Sequence, residues 1–110
     1  MFKEAEFHGD AKKRLRNFAK SVRDELGFQI WLVQNGDEPD DWKPMKDIGP
    51  GVCEIRVRDE SGAYRAIYLA KRPDAVHVYH VFQKKTQKTS QQDIEIARQR
   101  FEEHMRSLKS

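Results

Sequence analysis

At 110 residues the chain has room for one small domain over residues 1–110, and its Leu, Ile, Val and Phe number 24, just above the share (about 20%) below which chains stay disordered. Charged residues reach 35% with a net charge of only +3; no apolar run nears the ~20 residues that span a bilayer, and the start MFKEAEFHGD is too charged for a signal peptide. A single cysteine, Cys53, excludes an internal disulfide and a cysteine zinc cluster and suits a reducing cytoplasm.

Residues 3–7 read as a short strand or a frayed start. From Asp10 the spacing becomes helical, through Leu15, Phe18 and Val22 and then Leu26, Ile30 and Val33. Gly27 and the junction at 18–21 leave open one bent helix or an antiparallel pair, and the pair suits a compact domain better. Asn35-Gly36 is the expected left-handed cap. Residues 37–51 hold three prolines and read as a loop, pinned to the body by Trp42 and Met45.

Residues 52–58 (VCEIRVR) alternate, with Val52, Glu54, Arg56 and Arg58 on one face and Cys53, Ile55 and Val57 on the other. Residues 59–62 form a turn, 63–71 a return strand, 72–74 a second turn and 75–83 a third strand, together an antiparallel meander. Ser90 caps a final helix with Asp93 at its third position, and Ile94, Ala97, Phe101, Met105 and Leu108 form its apolar stripe. The expected fold class is α+β: a small antiparallel sheet packed on an N-terminal helical pair, its other face carrying Arg56 and Arg58, with a C-terminal helix.

Charge is distributed unevenly. Residues 1–50 carry 9 Lys/Arg against 10 Asp/Glu, whereas residues 56–88 carry 8 against 3. Arg56 and Arg58 share a strand face, Arg65 lies on the neighbouring strand, and Lys84, Lys85 and Lys88 follow the third strand. A solvated charged face is the plain alternative, but the interspersed acids such a face normally holds are sparse. Convergence at one sheet edge therefore points to an anion site, with phosphate as the natural ligand of guanidinium forks. His80 lies near the lysine run, where cations lower a histidine pKa and leave a neutral base. Alternation puts it opposite His77 and Tyr79. His8 and His104 stand isolated near opposite ends of the chain, and His77, His80 and Cys53 lack the spacing of a zinc site, so neither metal nor other cofactor is expected. No glycine-rich phosphate loop is present, since Gly49-Pro50-Gly51 precedes a strand and not a helix.

Residues 51–65 (GVCEIRVRDESGAYR) and 76–89 (VHVYHVFQKKTQKT) resemble the phage-related, HigB-like branch of the RelE/ParE toxin superfamily. DWKPM at 41–45 and DIEIARQRFEE in the last helix fit the same branch, and HVFQKKTQKT is the most specific part. The resemblance implies a RelE-like microbial RNase fold and a cytoplasmic type II toxin. Such a toxin is an endoribonuclease that cleaves mRNA, typically in the ribosomal A site, and inhibits translation and growth. It also implies a cognate antitoxin, expected to be a helix-turn-helix protein, with DNA met only through that complex and no membrane partner. By the same resemblance Arg65 matches the superfamily's middle-strand arginine, Lys85 (or else Lys84) the basic position after the last strand, and His80 the branch's histidine. Catalysis is thus expected of Arg65, His80 and Lys85 without metal, and phosphate binding of Arg56, Arg58, Lys84 and Lys88. One departure is that residues 89–92 lack the tyrosine that RelE uses at the start of its last helix. Two other functions compete: a ParE-like inhibitor of DNA gyrase without nuclease activity, and a non-catalytic RNA-binding module that would stack bases on exposed Tyr64, Tyr68 or Tyr79.

Overall fold

The computed structural model describes residues 2–109. In chain order the elements are β1 (Glu4–Phe7), α1 (Ala11–Asn17), α2 (Lys20–Gln34), β2 (Trp42–Pro44), β3 (Val52–Asp59), β4 (Gly62–Leu69), β5 (Ala75–Lys84) and α3 (Gln91–Ser107). The five strands form one sheet in the order β1-β5-β4-β3-β2.

The expected helical pair is present. Phe18 and Ala19 are both extended, with ψ of 157° and 150°, which breaks the helix between Asn17 and Lys20 and lets α2 fold back. α2 buries Val22, Leu26, Gln29, Ile30 and Val33 on one stripe and ends at Gly36, whose φ of 86° is open to glycine at little cost. The β3–β4–β5 meander also forms. Its first hairpin turns at Ser61, whose backbone N–H and hydroxyl both donate to the Asp59 carboxylate, at 3.0 and 2.8 Å.

Several expectations need correction. The sheet is mixed, because β1 pairs with β5 in parallel after the chain has crossed over through α1 and α2. Within residues 37–51, Trp42–Pro44 forms an edge strand antiparallel to β3, a pairing too short to show a period. Met45 is buried as expected, whereas Trp42 is 37% exposed on that edge. α3 turns His104 inward, while Leu108 is 43% exposed.

His80 also lies on the face opposite to the one expected. Ile67 pairs with His80 while Tyr68 pairs with Val78, so Tyr79 is the extra residue of a β-bulge. Alternation is cancelled at that point, and His77, Tyr79 and His80 all face α3. The Tyr79 carbonyl accepts a hydrogen bond from Arg100 Nη1 at 2.9 Å, which satisfies a backbone group at the bulge.

Both faces of the sheet are packed. On one side α1 and α2 cover Ile55, Val57, Tyr64, Ala66, Tyr68, Val76, Val78 and Val81. On the other, Ala97 and Phe101 of α3, with Met45 and Ile48, cover Val52, Ile67, Leu69, Tyr79 and Phe82. The 49–51 turn closes against α3 so tightly that a Cβ on Gly49 would stand 2.3 Å from the Phe101 ring. Arg98 reinforces the contact by donating twice to the Asp47 carbonyl, at 2.9 and 3.1 Å. α3 thus covers only part of its face, and the rest carries charge.

Candidate functional site

Strand register decides which charged side chains meet. Arg56 of β3 stands directly opposite Arg65 of β4, and Lys43 of β2 stands opposite Glu54 of β3. Ala63 is flanked by Arg58 on one side and Lys84 of β5 on the other. Paired residues share a face, so Lys43, Glu54, Arg56, Arg58, Arg65 and Lys84 all project toward the α3 side.

Two guanidiniums opposite each other across an antiparallel pair repel, and Glu54 compensates them. Its Oε1 lies 3.5 Å from Arg65 Nε and 3.8 Å from Arg56 Nε, while Oε2 accepts from Thr89 Oγ1 at 3.1 Å. Glu54 is 1% exposed and Arg65 6%. Facing atoms Oε1 and Nε are buried and close, yet neither makes a hydrogen bond among the described residues. A buried donor and acceptor left with unspent capacity have room for a further partner, a water or a ligand oxygen. Arg65 Nη1 is held by the Tyr64 carbonyl at 2.9 Å. Burial pulls the Arg65 pKa below its ordinary value; Glu54 opposes this and Arg56 adds to it, though an arginine stays charged throughout. Burial also lowers the Lys84 pKa, with the charge of Arg65 next in importance and those of Arg56 and Lys43 in the same direction.

Above this floor lies an open cleft of about 750 Å³, walled by β2, the β2–β3 loop, the end of β5 and the start of α3. Lys43, Lys46, Arg56, Lys84 and Lys88 line it with Thr89, against the single acid Asp47. The sequence-expected residues Arg56, Arg65, Lys84 and Lys88 are therefore brought together.

The remaining expected residues lie elsewhere. Lys85 is exposed and lines an adjoining cleft of about 460 Å³, beside Arg14, Phe18, Ser90 and Asp93, with Lys84 on the edge between the two. Arg58, at the far end of β3, lines a depression that also holds Glu25, Asp40 and Asp59. His80 is 0% exposed, stacked on Phe82 with ring centroids 4.9 Å apart, and its Nε2 lies 2.7 Å from Asp93 Oδ1. Asp93 and Ser90 close the N-terminus of α3: the Asp93 N–H donates to Ser90 Oγ at 3.1 Å, and the hydroxyl donates back to the carboxylate at 2.7 Å. Burial lowers the His80 pKa and the Asp93 carboxylate opposes the shift. His80 thus anchors the helix that walls the cleft.

Glu54, Lys43, Lys46 and Thr89 were not among the expected site residues. A lone carboxylate alternating with arginines in VCEIRVR was the available signal for Glu54. Lys43 and Lys46 lacked one, because only the β2–β3 pairing carries them to the site. Tyr64, Tyr68 and Tyr79 are all buried and offer no stacking platform. Among the described residues no helix is long and apolar enough to cross a membrane.

No curated protein matches this sequence. Among solved structures the fold is similar to that of a double arginine-to-alanine mutant of the E. coli toxin RelE in the free state. The TM-score is 0.61 and the identity 18%, over 86% of this chain and 97% of that one. Residues 13–102 match the family profile described as Phage derived protein Gp49-like (DUF891). With a match over most of its length and the fold of a RelE toxin, the chain belongs to the Gp49-like family of phage-derived proteins.

Proposed function

We propose that the protein is the toxin of a type II toxin–antitoxin pair, an endoribonuclease that cuts mRNA on the ribosome in the cytoplasm. The observation that carries this reading is the cleft in which Lys43, Arg56, Arg65 and Lys84 surround one buried carboxylate, Glu54. RNA supplies its own nucleophile: the 2′-hydroxyl attacks the adjacent phosphate, loses its proton to water and expels the 5′-oxygen. The products are a 2′,3′-cyclic phosphate and a free 5′-hydroxyl, and the reaction asks the protein mainly to stabilise charge on the phosphorane.

Arg56 and Arg65 take that role, aimed by Glu54, which keeps two repelling guanidiniums on one side of the sheet. Lys84 delivers the proton to the departing oxygen; its depressed pKa makes it a stronger acid than an ordinary lysine. Lys43, Lys46 and Lys88 hold flanking phosphates along the cleft and Lys85 extends the positive surface beside it, whereas Arg58 sits among Glu25, Asp40 and Asp59. His80 acts through Asp93 by fixing the start of α3, and touches no substrate. An antitoxin with acidic side chains would cover the same cations.

Induced expression with and without the neighbouring antitoxin gene, followed by mapping of RNA 5′ ends, tests the reading. New cuts within translated frames, absent in Lys84→Ala and Arg65→Ala variants that remain folded, are the expected result. Intact RNA in arrested cells would overturn it in favour of a gyrase-directed toxin.

A further inference from the structure

The three histidines away from the cleft, scattered over the sequence at 8, 77 and 104, converge in space. β1 pairs in parallel with β5 so that Glu6 stands opposite His77, and the His8 N–H then bonds the Val78 carbonyl at 2.9 Å. These pairings place Glu6, His8 and His77 on one face, and the buried stripe of α3 lowers His104 onto the same spot. His8 Nε2 lies 3.0 Å from His77 Nδ1, and the His77 and His104 ring centroids are 4.1 Å apart. One nitrogen from each ring lies within 4.8 Å of the other two.

We propose that His8, His77 and His104 form a binding site for one divalent transition ion of the zinc type, with a solvent-facing fourth position for water or the Glu6 carboxylate.

Two of the three outer nitrogens are already held. His77 Nε2 faces Asp74 Oδ2 at 3.1 Å, and His104 Nδ1 faces the Tyr79 hydroxyl at 2.7 Å. A ring whose far nitrogen is engaged by an oxygen keeps its tautomer and turns the other lone pair inward, as metal-bound histidines do. Two nitrogens each ~2.0–2.1 Å from a tetrahedral zinc stand about 3.3 Å apart, so the His8–His77 pair need open by only a few tenths of an ångström. His77 is 1% exposed and His104 8%, which makes the pair rigid, while a cavity of about 250 Å³ beside Glu6, His8, Arg100 and Glu103 gives an ion its entry path. Glu6 Oε2 lies 3.6 Å from His77 Nδ1 and supplies negative charge. The nearby Arg100 is engaged by Asp10 Oδ1 at 2.8 Å and by the Tyr79 carbonyl. Three imidazoles with a carboxylate or water suit zinc, and copper or nickel would compete by intrinsic affinity. The site joins the end of β1, the start of β5 and the last turns of α3. It lies about 20 Å along β5 from Lys84, so the ion would stabilise the fold and take no part at the cleft.

The test uses the untagged full chain, stripped with chelator and titrated with Co²⁺ alone and then Zn²⁺. One Co²⁺ per chain, with the visible bands of a tetrahedral ion and displacement by Zn²⁺, is expected. Binding should weaken at least about 100-fold in His8→Ala, whose side chain is only half-buried, and persist in Cys53→Ser. In the unmutated protein Zn²⁺ should move the imidazole resonances of three of the 4 histidines and leave His80 in place. Absence of the cobalt bands, undiminished binding in His8→Ala, or a zinc response at His80 in place of the trio would each overturn the proposal.

Discussion

Replacing Glu54 by Gln isolates the role of the buried carboxylate. The amide has nearly the same volume, so no cavity opens, and it still accepts from Thr89 Oγ1. What is lost is the negative charge between Arg65 and Arg56. Removing one partner of a buried ion pair costs about 3–5 kcal/mol when the pair is hydrogen-bonded and dry. Here the separations are 3.5 and 3.8 Å without hydrogen-bond geometry, and the Arg56 side chain is 33% exposed, so the lower figure is reduced further. A loss of about 2–3 kcal/mol is expected, equal to roughly 8–15 °C in Tm for a chain of this size. Thermal unfolding followed by circular dichroism measures it. The double variant Glu54→Gln/Arg65→Met should lose clearly less than the two single losses combined, because neither charge is then left alone. RNA affinity should rise at low salt while cleavage falls, since the cleft gains net positive charge and the arginines lose their aim. A Glu54→Gln variant within about 0.5 kcal/mol of the parent would refute the coupling on which the site's electrostatics rest.

Three further outcomes follow from the same geometry. Lys84→Ala and Lys43→Ala should each lower the slope of log K against log salt for single-stranded RNA by about 0.7, whereas Asp37→Asn, outside the cleft, should leave it unchanged; filter binding across a salt series reads this. Phe101→Ala should cost about 3–4 kcal/mol in urea unfolding, because the ring fills the space between Gly49 and Tyr79 and meets Tyr79 edge-on at 5.8 Å. Burial holds the folded pKa of His80 below its ordinary 6.5, so the unfolded chain takes up the proton first as pH falls. The histidine's contribution is therefore complete above about pH 6.5 and declines below it, down to the folded pKa. With chelator present, the urea midpoint should drop between pH 7 and 5, and His80→Leu should drop less.

Much of the fold could be read along the chain because it rests on local periodicity. The α2 stripe, the VCEIRVR alternation and the Ser90–Asp93 cap each speak within a few residues. What escaped was set by contacts far apart in sequence. β2, 3 residues long, is too short for a period and is a strand only because β3 presents an open edge to it, while β1, already readable as a short strand, gave no sign of its parallel pairing with β5. The bulge at Tyr79 is invisible to alternation, which assumes that every residue is paired, and a single extra residue sufficed to move His80 to the other face.

The cationic site was half legible for the same reason. Arg56 carries an outward rhythm that its strand announces and Lys84 directly follows the strand read at 75–83, but Glu54 shares the rhythm of Arg56 and is nevertheless buried, as is Arg65. Their burial depends on where α3 stops covering the sheet. Ala97 and Phe101 seal the apolar half of that face, and the start of α3, held by Asp93 to His80, brings Thr89 down onto Glu54. The buried histidine and the buried carboxylate are thus two ends of one arrangement: His80 places the helix start, the helix start places Thr89, and Thr89 holds the carboxylate that orients both arginines. Loss of His80 should therefore weaken cleavage through the geometry of Arg56 and Arg65, with its pH profile unmoved, whereas loss of Lys84 should shift the alkaline limb of that profile.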